Sequence, residues 1–362
     1  MSTPGETFNV DLGRLANPEY FTGPIDMSGQ DIKLLKTQLR TMLVIRKVEE
    51  KLGDMMTSGK IVCPCHLAIG QEATAVGVSA NLRPTDRIFG THRSHSHFLA
   101  LGASAESLFA ETLGKLTGCS RGMGGSMHLH DQKTGFLGSV PIVAATVPMA
   151  VGAGLAASMD KKSDTDVGVA YFGDGTTEEG VVHESMNLAS KFKLPVLFVV
   201  ENNLFSSHLH INLRQPADSV ARYAAAHRLN YEVVEGNDIV AVSQATERLL
   251  KKARNGEGAG FLESVTYRWR GHVGPREDTD VGLKRSGELV LWKRRDPGRR
   301  LKEALISASQ LSEADYLKLD NEVAEHIESS WRRAEDAPYP PLENLLNHVW
   351  AETSGSVKTG MK

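Results

Sequence analysis

An α/β fold with a mostly parallel central sheet and helices on both faces follows from three observations in the sequence. Residues 167–172 are a short, apolar run that ends in Gly173-Asp174-Gly175. Residues 177–191 then carry helical spacing, and residues 196–200 are a second apolar, β-branched run. Such a strand–helix–strand unit joins parallel strands through a right-handed crossover. Unbroken apolar runs, rather than alternating ones, are what strands covered on two faces require.

The remaining elements follow in order. Residues 1–29 read as an arm, with Pro, Gly and polar residues in no period. From Asp31 the positions Leu34, Leu35, Leu39, Met42, Leu43, Ile45 and Val48 recur at helical spacing. Residues 104–117 predict another helix, and before them lies a histidine-rich loop, Thr91-His92-Arg93-Ser94-His95-Ser96-His97. Within the central unit, Thr176 and Glu179 stand at capping-box spacing, and Lys193-Leu194-Pro195 closes the helix. A further strand is expected over residues 260–265. Residues 30–290 would thus form the α/β domain. Residues 291–362 would form a charged, helical C-terminal region, broken at Asp296-Pro297 and Pro338-Tyr339-Pro340-Pro341.

Composition narrows the function. The chain has 362 residues, 41% of them hydrophobic and 23% charged, enough to bury a core without disulfides. Three cysteines, Cys63, Cys65 and Cys119, are too few for a secreted framework, so a reducing compartment, the cytoplasm by default, is expected. A formal charge of −3 gives no basic excess for nucleic acid. Neither a secretory nor a transit signal is read at the N-terminus. Residues 140–159 are uncharged but contain Pro141, Pro148, Gly152 and Gly154 and are rich in Ala, which predicts a buried, tightly packed segment rather than a membrane span.

The chemistry concentrates where the strands end. Asp174 offers a carboxylate after one strand and Asn203 an amide oxygen after the next, the hard donors that magnesium takes. Gly173 and Gly175 let the backbone turn sharply and approach a phosphate, and the helix start from Thr176 onward would add free N–H groups. Ligands of such sheets collect at these carboxyl ends. Cys63-Pro64-Cys65-His66 lacks the usual spacing of a zinc site, and Gly152-Ala153-Gly154 lacks the preceding strand of a dinucleotide fingerprint.

Gly173-Asp174-Gly175, a helix, a strand and then Glu201-Asn202-Asn203 resemble the thiamine diphosphate motif of the alpha subunits of 2-oxo acid dehydrogenase first components. These are the pyruvate, branched-chain and acetoin types, and Glu184-Ser185-Met186-Asn187-Leu188-Ala189 looks most like the acetoin type. The resemblance spans about residues 34 to 350. It implies thiamine diphosphate and Mg2+ as cofactors, with Asp174, Asn203 and the carbonyl of Phe205 as metal ligands. His66 precedes the Gly70-Gln71-Glu72 block and would stand near the substrate. In Thr91-His92-Arg93-Ser94-His95, His92 and Arg93 would hold the cofactor, the arginine on its diphosphate, and His95 would face the thiazolium. His128, closing the block from Arg121, and His272, closing Tyr267-Arg268-Trp269-Arg270-Gly271-His272, would complete a catalytic set on the substrate side. Ile142 and Val143 would wall the aminopyrimidine.

The glutamate that activates the aminopyrimidine in this family comes from a separate beta subunit, so the resemblance implies an obligate partner, as an α2β2 tetramer. It also implies a lipoyl acyltransferase that receives the acyl group, and a small 2-oxo acid or acetoin as substrate. A split carbon–carbon ligase or transketolase-type subunit without a lipoyl acceptor is the alternative. Three departures stand out. Pro141-Ile142-Val143-Ala144 replaces a Gly-Ile-Val-Gly run. The loop Val273-Gly274-Pro275-Arg276-Glu277-Asp278 lacks the serine at which mitochondrial relatives are phosphorylated, which excludes kinase control there. Phe205-Ser206-Ser207-His208 replaces a small, glycine-rich continuation.

Overall fold

The computed structural model describes residues 11–160, 166–278, 285–344 and 346. The N-terminal part of the expected arm and the end of the C-terminal region lie outside the described residues.

Among the described residues eight strands form in chain order: β1 (Arg87–Gly90), β2 (Phe136–Ser139), β3 (Gly168–Gly173), β4 (Val196–Asn202), β5 (Phe205–Ser206), β6 (Leu209–His210), β7 (Asn230–Glu235) and β8 (Gly260–Val265). Six make one parallel sheet in the order β2-β1-β3-β4-β8-β7, and β5 and β6 pair as a separate antiparallel ribbon. The order explains where a ligand can enter. From β1 the chain goes first to β2 on one side, then crosses to β3 on the other, so the β1/β3 boundary is a topological switch point with a crevice at its carboxyl end.

Alternation along the central strands divides the core. Val169, Tyr171, Leu197, Val199 and Leu262 pack on one face, with residues of helices Ile32–Thr57, Glu72–Ser79 and Ile239–Arg254. Ala170, Phe172, Phe198, Val200 and Phe261 pack on the other, with helices Thr146–Met159, Gly180–Lys191 and Ala221–Ala226. Every residue of β4 and β8 is buried, so both faces need apolar side chains and the period-2 signal vanishes from the sequence.

The C-terminal helices Pro297–Ser307 and Glu313–Asp336 join the first core through Leu301, Leu305, Val323, Ile327 and Trp331. Trp331 meets Phe109 edge-on at 5.3 Å. The described part of the arm is tied down too. Arg295 Nη1 donates to the Leu15 carbonyl at 2.8 Å, Arg299 Nη2 to Thr22 at 3.0 Å and Arg300 Nε to Gly23 at 2.8 Å.

Local expectations are corrected at four places. The helix after Gly175 begins at Gly180, because Asp174–Glu178 forms a 3-10 turn in which Thr177 Oγ1 donates to the Asp174 carbonyl at 2.7 Å. Glu179 is therefore the N-cap and no capping box forms. Part of the expected histidine-rich loop is a short helix, His95–Ala100. The helix expected over 104–117 is shorter, Ala105–Thr112, and Gly114 turns away with φ +70°. The 140–159 segment is buried on one face only: a side chain at Gly154 would come within 2.5 Å of Val196, whereas Met149, Leu155 and Met159 are exposed. Among the described residues, no helix is long and apolar enough to cross a membrane.

Candidate active site

The register of β3 and β4 pairs Gly173 with Glu201, so Asp174 and Asn202-Asn203 leave the sheet side by side. Asp174 is buried; burial pushes its carboxyl up, and the Arg214 guanidinium, which donates from Nη2 to Oδ2, pulls against that shift. Arg214 Nη1 also donates to Glu178. Asn203 donates from Nδ2 to Gln71 Oε1 at 3.1 Å, and its Oδ1 accepts from the Phe205 N–H at 3.2 Å. The neighbouring Asn202 has a different task. Its Nδ2 donates to Glu263 at 2.7 Å and to the Asp218 carbonyl at 2.9 Å, which locks the strand end in place.

The backbone here is tightly folded. Leu204, between Asn203 and Phe205, has φ +68°, a left-handed conformation costly for a bulky residue. A Cβ on Gly175 would lie 2.4 Å from Ser206 Oγ, so only glycine lets the turn after β3 nest against β5. Ala144, where the resembling family has glycine, has φ +66°.

At the end of β1, Ser94 Oγ accepts from the Thr91 N–H at 2.8 Å and turns Arg93 inward. Arg93 is buried, donating to the Leu67 carbonyl at 2.6 Å and the His272 carbonyl at 3.0 Å. Burial, then the nearby Arg268, lower it to about 9. Arg268 donates to the Ser207 carbonyl at 2.6 Å and to Asp278 at 3.1 Å, while its buried Nε has no partner. Arg93 is thus held by carbonyl dipoles rather than by a carboxylate, which leaves its charge available to an anion.

His66, His92 and His272 converge, with ring centroids 4.5, 4.9 and 5.4 Å apart. Burial, then neighbouring cationic groups, lower them to about 2, 3 and 4, so all three are neutral near pH 7. His95 lies elsewhere, fully buried between Glu49 Oε2 at 3.1 Å and Ser126 Oγ at 2.8 Å. Burial works to lower His95, and the Glu49 carboxylate more than offsets it and raises the imidazole. His128 is exposed and bonded through Nδ1 to the Gly124 carbonyl at 3.0 Å.

These groups surround one cleft of about 250 Å³ at the switch point. It is lined by His66, His92, Arg93, Val143, Gly173, Asp174, Gly175, Thr176, Asn203, Phe205 and His272 from the sequence reading, while His95, His128 and Ile142 do not line it. Ile142 is 68% exposed. Thr91, Met127, Pro141, Glu201, Ser206, Ser207 and Arg268 line it as well; they lie in or beside the blocks read from sequence, but none was given a site role there. Glu201 Oε1 lies 3.2 Å from His97 Nε2, behind the wall beside Asn203. Glu201 directly precedes Asn202, and Arg268 lies in the block that ends at His272.

Fold and cleft define a doubly wound α/β protein with a cationic, imidazole-lined ligand site at its switch point. More particularly, the chain belongs to the dehydrogenase E1 component family, whose model matches residues 40–343. It is 37% identical over 312 residues to the alpha subunit of acetoin:2,6-dichlorophenolindophenol oxidoreductase of Bacillus subtilis (strain 168), covering 85% of this chain and 91% of that relative. The pyruvate dehydrogenase E1 component subunit alpha of Zymomonas mobilis is 37% identical over 86% of either chain. The acetoin oxidoreductase alpha subunit of Cupriavidus necator is 35% identical over 88% of this chain and 95% of its own.

Proposed function

We propose that this chain is the alpha subunit of a thiamine-diphosphate-dependent 2-oxo acid dehydrogenase, and that it carries the diphosphate and magnesium half of a shared active site. The observation that carries this reading is the adjacency of Asp174 and Asn203 at paired strand ends, beside two buried guanidinium groups. The residues fit the cofactor. Hard oxygen donors stand beside Arg93 and the unpartnered Nε of Arg268, and Gly175 leaves room that any side chain would fill. The relatives are pyruvate and acetoin alpha subunits, which favours oxidative decarboxylation or acetoin cleavage over a ligase or transketolase reaction.

Asp174, Asn203 and the Phe205 carbonyl would hold Mg2+, and Arg93 and His92 would bind the diphosphate, with Gly173, Gly175 and Thr176 forming its turn. Thiamine diphosphate, when bound, supplies the carbanion and electron sink for the chemistry. The neutral imidazoles of His66 and His272 can donate a hydrogen bond from the ring N–H to a substrate oxygen. His95, held by Glu49 and Ser126, would act through the wall, and His128 would stand at the entrance. Ile142 and Val143 present apolar side chains at the rim, where a beta subunit would complete the site and bring the activating glutamate. The acyl group would pass to a lipoyl acyltransferase partner.

Co-expression with its beta subunit tests the reading. The pair should reduce an artificial electron acceptor with a 2-oxo acid or acetoin only when thiamine diphosphate and Mg2+ are both added. The alpha chain alone should be inactive, and full activity without a partner would overturn the shared-site reading.

A further inference from the structure

His66, His92 and His272 form a compact imidazole cluster, of which the proposed diphosphate binding uses only His92. They arrive from three separate segments: before helix Glu72–Ser79, after β1 and after β8. Each offers one ring nitrogen, and the three nitrogens lie within 4.8 Å of one another. The rings meet edge to face, at 63° to 74°, so none blocks another by stacking. His66 is 8% exposed, and its buried Nδ1 has no hydrogen-bond partner.

We propose that these three histidines form a site for a transition-metal dication of the zinc class, separate from the oxygen donors at Asp174 and Asn203. Imidazole nitrogen suits Zn2+, Co2+ and Ni2+, whereas Mg2+ demands oxygen. A tetrahedral ion with bonds of about 2.0–2.1 Å needs its nitrogens roughly 3.4 Å apart, so side-chain rotations of about 1 Å close the site. The fourth position then opens onto the cleft. Burial leaves all three rings unprotonated near neutral pH, the state a metal requires.

Arg93 braces the arrangement. Its guanidinium bonds the carbonyl of Leu67, next to His66, and that of His272, tying two of the three ligand segments together. The His272 N–H is fixed in turn by Asp278 at 2.7 Å. The same guanidinium repels a dication, which limits affinity and makes the ion reversible. An ion there fills space that a small substrate would need, so zinc-class ions become reversible inhibitors. That consequence rests on the proposed function; metal binding does not.

Cobalt tests the site, because its visible absorption reports its ligands. The purified full chain should bind one Co2+ with ligand-field bands and no thiolate charge-transfer band, displaced by Zn2+ and not by Mg2+. His66→Asn and His272→Asn should each weaken binding at least tenfold. His326→Asn, on the exposed face of helix Glu313–Asp336, should leave it unchanged, with circular dichroism confirming the fold of every variant. No saturable spectrum, a thiolate band from Cys63 and Cys65, or unchanged affinity in both cleft variants would overturn the proposal. Cobalt binding without zinc inhibition of the assembled complex would leave the site standing and remove the inhibitory consequence.

Discussion

Arg214 donates from Nη2 to Oδ2 of Asp174, so the carboxylate that closes β3 is already paired with a cation supplied by the loop after β6. Both side chains are nearly inaccessible, at 6% and 1%. The magnesium ion proposed at Asp174 would make the same kind of electrostatic demand on this carboxylate and would compete with the guanidinium for it.

Arg214→Ala should therefore destabilise the cofactor-free protein by about 3 kcal/mol, the usual cost of stranding a buried charge. Saturating Mg2+ and thiamine diphosphate should recover part of that loss. Thermal unfolding of wild type and variant, each with and without cofactor, measures it. An equal loss in both states would mean that Arg214 does not share Asp174 with the metal.

Asp174→Asn keeps the shape and removes the charge. Magnesium-dependent binding of thiamine diphosphate should fall at least a hundredfold by calorimetry, while the fold survives because the amide can still accept from Arg214. Undiminished affinity would refute the metal assignment.

The strand ends were legible because the signal there is local. Residues 168–173 and 196–202 are buried on both faces and read as apolar runs, and Asp174 and Asn203 follow them directly. β1 and β2 were illegible: four residues each, with Arg87 in one and Gly138 and Ser139 in the other, they resemble loops. Edge strand β7, Asn230–Glu235, mixes polar and apolar positions because it is only partly covered. Arg214 escaped notice, and Arg268 was read only as part of its block, because what brings them to Asp174 and Asp278 is the tertiary fold, not spacing. Which histidines of Thr91–His97 face the cleft depended on a helix turn at His95 that composition does not announce.

The cleft imidazoles make stability depend on pH. Their folded-state values, about 2 for His66 and 4 for His272, lie below the ordinary 6.5. As pH falls through 6.5 the unfolded chain takes up protons that the folded chain refuses, so this contribution is whole above 6.5 and is lost progressively below it. His95, raised by Glu49, works in the opposite sense: its contribution is present at low pH and lost as pH rises through its folded value. Each refused proton is worth at most about 1.4 kcal/mol per pH unit, and less where water reaches the ring. His66→Asn should flatten the fall in urea-unfolding free energy between pH 6.5 and about 5 by up to that amount. An unaltered slope would show that His66 is protonated in the folded protein.

The loop that carries Met127 to the cleft and Ser126 to His95 is organised by one carboxylate. Glu111, fully buried on helix Ala105–Thr112, accepts from the N–H groups of Ser120 at 2.7 Å, Gly122 at 3.0 Å, Gly124 at 2.7 Å and Gly125 at 3.0 Å. Four backbone donors aimed at two oxygens form an anion cradle built from within, and Gly118 is required because a Cβ there would meet Glu111 at 2.3 Å. Glu111→Gln leaves one acceptor oxygen and turns an amide NH2 toward two N–H groups, so two charge-assisted bonds are lost. The expected cost is about 3 kcal/mol. The loss should also be local: amide exchange at Ser120, Gly122, Gly124 and Gly125 should accelerate far more than in β3 and β4. Because Ser126 then no longer holds His95 steady, turnover should fall more than thiamine diphosphate affinity. Unchanged exchange at those four amides would show that the loop keeps its shape without the charge.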